Sequence, residues 1–202
     1  AKLVFLKNDD INKSFSISFK TVPYSDNGIF HILEHSVLCG SAKYPVKEPF
    51  VELLKGSFNT FLNAMTFPDK TMYPVSSKNE KDLEILMDIY LDAVFNPNLK
   101  NNPNILAQEG WHYHLEDKKD DLIYKGVVYN EMKGAYSSVD EVLDQYVTEH
   151  LFSDTSYKYS YGGKPEAIPS ITQEEFLSTY DYNYHPSNSY IVLYGDINVE
   201  QY

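Results

Sequence analysis

His31-Ile32-Leu33-Glu34-His35 stands in the middle of residues 27–40, which read NGIFHILEHSVLCG. Asp26 or Asn27 offers a cap for a helix running to about Cys39, and Gly40 supplies its stop. Residues four apart share a helix face, so His31 and His35 present two imidazoles one turn apart. At about 100° per residue, Glu34 falls in the same arc. Ile32, Leu33 and Val37 are free to bury the other flank. Two imidazoles so placed can reach one zinc ion, and a carboxylate beside them can take a proton from a metal-activated water. The order is H-x-x-E-H, the reverse of the more familiar H-E-x-x-H. An ordinary helix carrying two histidines and a glutamate has the same five letters, so the decision rests on the rest of the chain.

Around this helix the pattern alternates between strands and helices. Residues 3–7 and 14–21 read as strands joined in a hairpin around Asn8-Asp9-Asp10, with Phe15, Ile17 and Phe19 on one face and serines on the other. A short helix has Pro49 near its first turn and Gly56 after its last. Residues 57–65 and 71–76 read as strands around Pro68-Asp69-Lys70. Leu83, Leu86, Met87, Tyr90, Leu91 and Val94 recur at three- and four-residue steps, which predicts a long helix ended by Pro97. Helices are further expected at 103–110, 124–136 and 139–151, with an extended stretch at 111–116. Thr172 and Glu175 form a capping box for a helix to about Tyr184, and Tyr190–Tyr194 is a closing strand. The fold class is α+β, a largely antiparallel sheet packed with helices.

Composition narrows the function. The chain has 202 residues, 17 basic against 29 acidic, and a formal net charge of −12. That balance opposes nucleic acid and anionic membrane surfaces, where a basic face is needed. No run approaches the ~20 apolar residues of a membrane span. With Cys39 alone, no intrachain disulfide forms. The 18 Tyr and 11 Phe suit partly covered, peptide-binding walls, since Tyr buries a ring while keeping its hydroxyl wet. Ala1 opens directly into Leu3-Val4-Phe5-Leu6, which reads as a segment of a longer protein.

A catalytic zinc needs a third protein ligand and an open position. His112 and His114 alternate on one face of an extended stretch and could serve, although such a pair beside Trp111 and Tyr113 more often simply keeps an aromatic strand wet on one side. Glu109 and Glu131 lie in segments of low local charge. Glu131 sits among Val127, Val128 and Ala135, where a carboxylate is costly without a partner.

Beyond these residues, the chain resembles the pitrilysin/insulysin family of inverted-zincin metallopeptidases, within it the presequence-protease and falcilysin branch. The resemblance is carried by His31–Ser41, Tyr44–Phe50, Leu53–Ser57, Asn59–Ala64, Gln108–Trp111 and Lys125–Gly134, and covers almost the whole chain. It implies a metallopeptidase domain of the LuxS and mitochondrial-processing-peptidase type. The expected ligands are His31, His35 and Glu131, holding one Zn(2+) per chain, with Glu34 as general base and Glu109 behind the ligands. Peptide substrates are expected to add as a strand along Phe58–Thr66, with Asn63 and Ala64 as backbone contacts. The resemblance further implies that residues 1–202 are a single N-terminal domain, incomplete at its start, whose remaining C-terminal domains supply part of the substrate site. A bacterial cytoplasm is favoured as compartment, and an organelle matrix also suits the branch.

Two other readings compete. One is a non-catalytic subunit or scaffold on the same fold, which every expected ligand and base being present argues against. The other is a structural metal module, but such sites usually use four ligands and favour Cys. Gly162-Gly163-Lys164 lacks the full phosphate-loop spacing and a preceding strand. Cys39 reads as a small buried residue at a helix end.

Overall fold

Alternation through Lys13–Lys20 turns Phe15, Ile17 and Phe19 into the core and leaves the intervening serines half-buried on the opposite face, the pattern of a sheet packed on one side. The computed structural model describes residues 1–46 and 49–199; Lys47 and Glu48, inside the Tyr44–Phe50 match, lie outside the described residues. The strands are Lys2–Lys7 (β1), Lys13–Lys20 (β2), Asn59–Leu62 (β3), Met65–Thr66 (β4), Lys70–Ser77 (β5), His112–His114 (β6), Ile123–Lys125 (β7) and Ser189–Gly195 (β8). The α-helices are Ile29–Val37 (α1), Pro49–Gly56 (α2), Glu80–Phe95 (α3), Val127–Ala135 (α4), Val139–Leu151 (α5) and Gln173–Asn183 (α6). No helix among the described residues is long and apolar enough to cross a membrane.

The main sheet runs β1-β8-β2-β5-β3, with β4 also paired to β5. Among the described residues β1 and β8 pair in parallel and the other pairs of this sheet are antiparallel. Ile17 lies opposite both Tyr73 and Ile191, and Phe15 opposite Val75 and Leu193. Helix α3 brings Leu83, Leu86, Tyr90 and Val94 onto this face. Helix α6 adds Phe176 and Tyr180, whose hydroxyl donates to the Val94 carbonyl at 2.9 Å. The result is one contiguous core.

Four expectations need correction. β1 and β2 are not a hairpin: β8 occupies the slot between them. The link at residues 8–12 is a pair of successive side-chain-held turns, with Asn8 accepting from Asp10 N at 2.8 Å and Asp10 from Asn12 N at 2.9 Å. Such a link does not force adjacent pairing as a two-residue turn does. The apolar β8 thereby gains a partner on each edge. Second, the strand expected over 57–65 is split into β3 and β4. Pro74, opposite the break, has no N–H to offer the neighbouring strand; its carbonyl still accepts from Asn63 N at 3.2 Å. Third, the segment expected as a helix at 103–110 is mainly a π-helical turn, Leu106–Gly110. Fourth, the expected 124–136 helix begins as β7, and α4 starts only after Gly126. A Cβ on Gly126 would stand 2.0 Å from the Gly110 carbonyl oxygen, so this crossing of the two segments demands glycine.

Caps behave as their chemistry suggests. Thr172 Oγ1 accepts from Glu175 N at 3.1 Å, but Glu175 does not reach back to close the box. It receives Tyr24 OH at 2.9 Å and Asn27 Nδ2 at 3.2 Å instead, tying α6 to the entry of α1. Gly28, not Asp26 or Asn27, is the residue at the α1 N-cap, and Asn27 Oδ1 accepts from Ile29 N at 3.2 Å.

Two variants separate these packing arguments. Leu86→Ala, emptying a fully buried site, is expected to cost about 2–5 kcal/mol. Gly134→Ala, inside α4 where an added methyl group meets open space, is expected to gain about 0.5–1 kcal/mol. Urea unfolding of both variants measures the two signs directly.

Candidate metal centre

Helix α1 is nearly enclosed: Ile32, Leu33 and Val37 are fully buried, and His31 and Glu34 are buried as well. Its polar face opens into a cleft of about 700 Å³, whose walls include Asn63, Ala64 and Thr66 on the sheet edge, Glu109, Glu131 and Tyr161. His31 and His35 stand with ring centroids 4.9 Å apart and planes at 77°. Glu131, from α4, sits between them. Its Oε1 is 3.7 Å from His31 Nε2 and its Oε2 is 3.8 Å from His35 Nε2. These separations exceed hydrogen-bonding range. Donor atoms around a tetrahedral zinc lie roughly 3.3 Å apart, so a small contraction would bring this set onto one ion. Among the described residues, His31, His35 and Glu131 form the group able to hold a metal, with donor atoms within 4.8 Å of one another.

The far side of each imidazole is fixed. His31 Nδ1 is 3.0 Å from the Gly162 carbonyl, and His35 Nδ1 is 3.5 Å from Glu109 Oε2. Each ring therefore turns Nε2 toward Glu131, the arrangement by which outer partners orient metal-binding histidines. Burial by itself depresses the His35 imidazole, but Glu109, with Glu34 and Glu131, outweighs it and raises the pKa above the ordinary histidine value. Burial likewise raises Glu109, yet His35, Gln108 and Cys39 together hold its carboxyl below the usual range. Three carboxylates around two imidazoles give the cleft a negative local charge that a cation would neutralise.

The structure brings together all four residues expected at the chemistry, and Glu109 lies where a positioning partner of His35 belongs. Asn63 and Ala64 both line the cleft, in the break between β3 and β4. The Asn63 carbonyl accepts from Tyr90 OH at 3.2 Å, and Ala64 N–H donates to the Asn63 side chain at 2.9 Å. His112 and His114 stand outside the cluster, bonded to the Ala107 carbonyl at 2.6 Å and to Glu116 at 2.7 Å. Cys39, at the end of α1, directs its thiol at the His35 carbonyl over 3.6 Å.

Two contributors escaped sequence reasoning. Gly162-Gly163-Lys164, set aside as a failed phosphate loop, carries the carbonyl that orients His31. Lys164 anchors it by ion pairs to Asp26 at 3.2 Å and Glu149 at 3.1 Å. Gly28 (φ +66°) packs against this loop, and a Cβ there would lie 2.5 Å from Gly162 O. The signal was available as glycines at both sides of the contact, but the contact itself is long-range. The second is Thr66, whose Oγ1 donates to Glu34 Oε2 at 2.6 Å.

Comparison with known proteins places the chain among relatives. Residues 23–118 match the family model described as "Insulinase (Peptidase family M16)". The chain is 58% identical to Protein HypA of Clostridium perfringens over 201 residues, 100% of this chain and 21% of that protein. It is 53% identical to Presequence protease 1, chloroplastic/mitochondrial, of Arabidopsis thaliana, over 96% of this chain and 18% of the relative. The mitochondrial presequence protease of Xenopus laevis is 43% identical over all of this chain and 20% of its own length. The chain thus spans about one fifth of the curated relatives it matches. Among solved structures, a protease from Helicobacter pylori superposes with a TM-score of 0.76 at 18% identity, covering 98% of this chain and 45% of that one. Pitrilysin superposes at 0.71 and 19%, covering 98% of this chain and 20% of that one. These two show a shared fold.

Glu109→Gln removes the charge behind His35, and Gly28→Ala pushes on the loop behind His31. Each is expected to weaken zinc binding about 10- to 100-fold, whereas Gly134→Ala leaves it unchanged. Competition titration against a chromophoric chelator reads all three.

Proposed function

Because the chain belongs to the insulinase family of peptidases, we propose that it is the zinc-binding domain, residues 1–202, of a metallopeptidase acting on unstructured peptides. The observation that carries this reading is the convergence of His31, His35 and Glu131 on one point, with Glu34 on the same helix beside it. Three protein donors of mixed nitrogen and oxygen type leave an open fourth position, as a catalytic zinc requires and a structural one does not. A zinc ion bound there supplies Lewis acidity, polarising a carbonyl and acidifying a water.

The chain's own residues supply the rest. Glu34 is buried in the wall of the cleft, where it takes a proton from water and delivers one to the leaving amine. Glu109 and the Gly162 carbonyl keep both imidazoles turned to the ion. The unpaired side of β3 and β4 is a sheet edge bordering the cleft, suited to receiving a peptide in extended form through backbone hydrogen bonds. Asn63 and Ala64, at the break in that edge, are the proposed contacts, the Ala64 N–H being available once Asn63's side chain swings aside. Helix α5 has no buried residue and exposes Leu143, Tyr146 and Leu151. An apolar flank of that kind suits coverage by further chain, such as the remaining length of the longer relatives would supply, which would close the cleft and complete the site.

Glu34→Gln keeps the shape and the metal donors but removes the base. Zinc content is expected to stay at the wild-type level while peptide turnover by the full-length protein falls about 10³-fold, within the roughly 10²–10⁴ that a positioned acid–base group contributes. Turnover surviving in this variant would exclude Glu34 as the base. An internally quenched peptide assay beside elemental analysis gives both numbers.

A further inference from the structure

Glu34 ends in a carboxylate whose terminal torsion is broad and roughly two-fold, so burial of the helix does not by itself fix which oxygen meets the substrate. Among the described residues its hydrogen-bond donor is Thr66 Oγ1, at 2.6 Å to Oε2. Thr66 is well placed to hold that contact. It is β-branched and so stiff about χ1. Its backbone is registered against Thr71 in β5, and the adjoining turn is closed by Phe67 N donating to the Lys70 carbonyl at 2.8 Å. Thr71 is fully buried and its hydroxyl is locked to Thr21 at 2.9 Å. A chain of fixed atoms therefore runs from the interior of the sheet to one oxygen of Glu34.

We propose that Thr66 is a positioning residue for Glu34: its hydroxyl immobilises Oε2 and leaves Oε1 as the oxygen that exchanges the proton. This rests on the peptidase reading above. It makes a specific division of labour on β4, in which the backbone forms the sheet edge and the Thr66 side chain aims the base. A peptide bound along that edge and the base that acts on it are then referenced to the same two-residue strand.

Three variants of the full-length, zinc-loaded protein test it with an internally quenched peptide, alongside zinc content and thermal unfolding. Thr66→Val keeps the shape and deletes the donor. It is expected to retain zinc and KM while kcat falls roughly 10- to 100-fold, the worth of a hydrogen bond to a charged group. Thr66→Ser restores the hydroxyl and is expected to recover most of kcat. Glu34→Gln is the reference for the reading itself. Wild-type kcat in Thr66→Val beside an inactive Glu34→Gln overturns the role of Thr66 and leaves the peptidase reading standing. An active Glu34→Gln overturns that reading. A raised KM at unchanged kcat, loss of zinc, or failure of Thr66→Ser to recover activity also overturns the positioning role, because each assigns Thr66 to peptide binding or to the fold.

Discussion

Two imidazoles and three carboxylates share one cleft whose floor, the polar face of α1, is buried, and the rest of the structure is arranged around making that tolerable. Helix α1 enters the core with Ile32 and Leu33 fully enclosed, so Glu34 and His31 lose most of their water along with it. Uncompensated, such burial costs several kcal/mol for a charged group. Compensation comes in part from close partners: Thr66 on Glu34, Glu109 on His35, the Gly162 carbonyl on His31. The excess negative charge that remains is what a divalent cation would neutralise.

Close backbone contacts make these partnerships possible. Gly126 crosses the π-helical turn where a side chain would collide with the Gly110 carbonyl. That crossing puts Glu109 behind His35 and starts α4 at the height that carries Glu131 to the other side. Gly28 and Gly163, both with positive φ, let the loop carrying Gly162 lie against the start of α1. The π-helical turn fits this picture, since an extra residue in a turn re-aims a side chain at a functional site.

Much of this was readable from the chain, for identifiable reasons. The motif His31–His35, the serine alternation of β2 and the periodicity of α3 are local patterns, and local patterns survive into three dimensions. Helix α5 was legible to its end residues, Val139 and Leu151. What was not legible depends on partners distant in sequence. The insertion of β8 between β1 and β2 joins residues at opposite ends of the chain. The break at Asn63 and Ala64 follows from Pro74 on the facing strand. The π-helical turn follows from packing against α1 and Gly126. Apolar neighbours singled out Glu131, but it was the resemblance that separated it from Glu109 as the ligand; in space the two differ, one beside Nε2 and the other beside Nδ1 of the same ring.

The central claim is that His31, His35 and Glu131 hold one ion. The most direct measurement is elemental analysis of metal-replete, gel-filtered protein, comparing the natural sequence with His35→Ala and Glu131→Ala. About one zinc per chain, lost in both variants, is the outcome expected of a three-residue centre with an open fourth position. Zinc retained in Glu131→Ala, or absent from the natural protein, would contradict it.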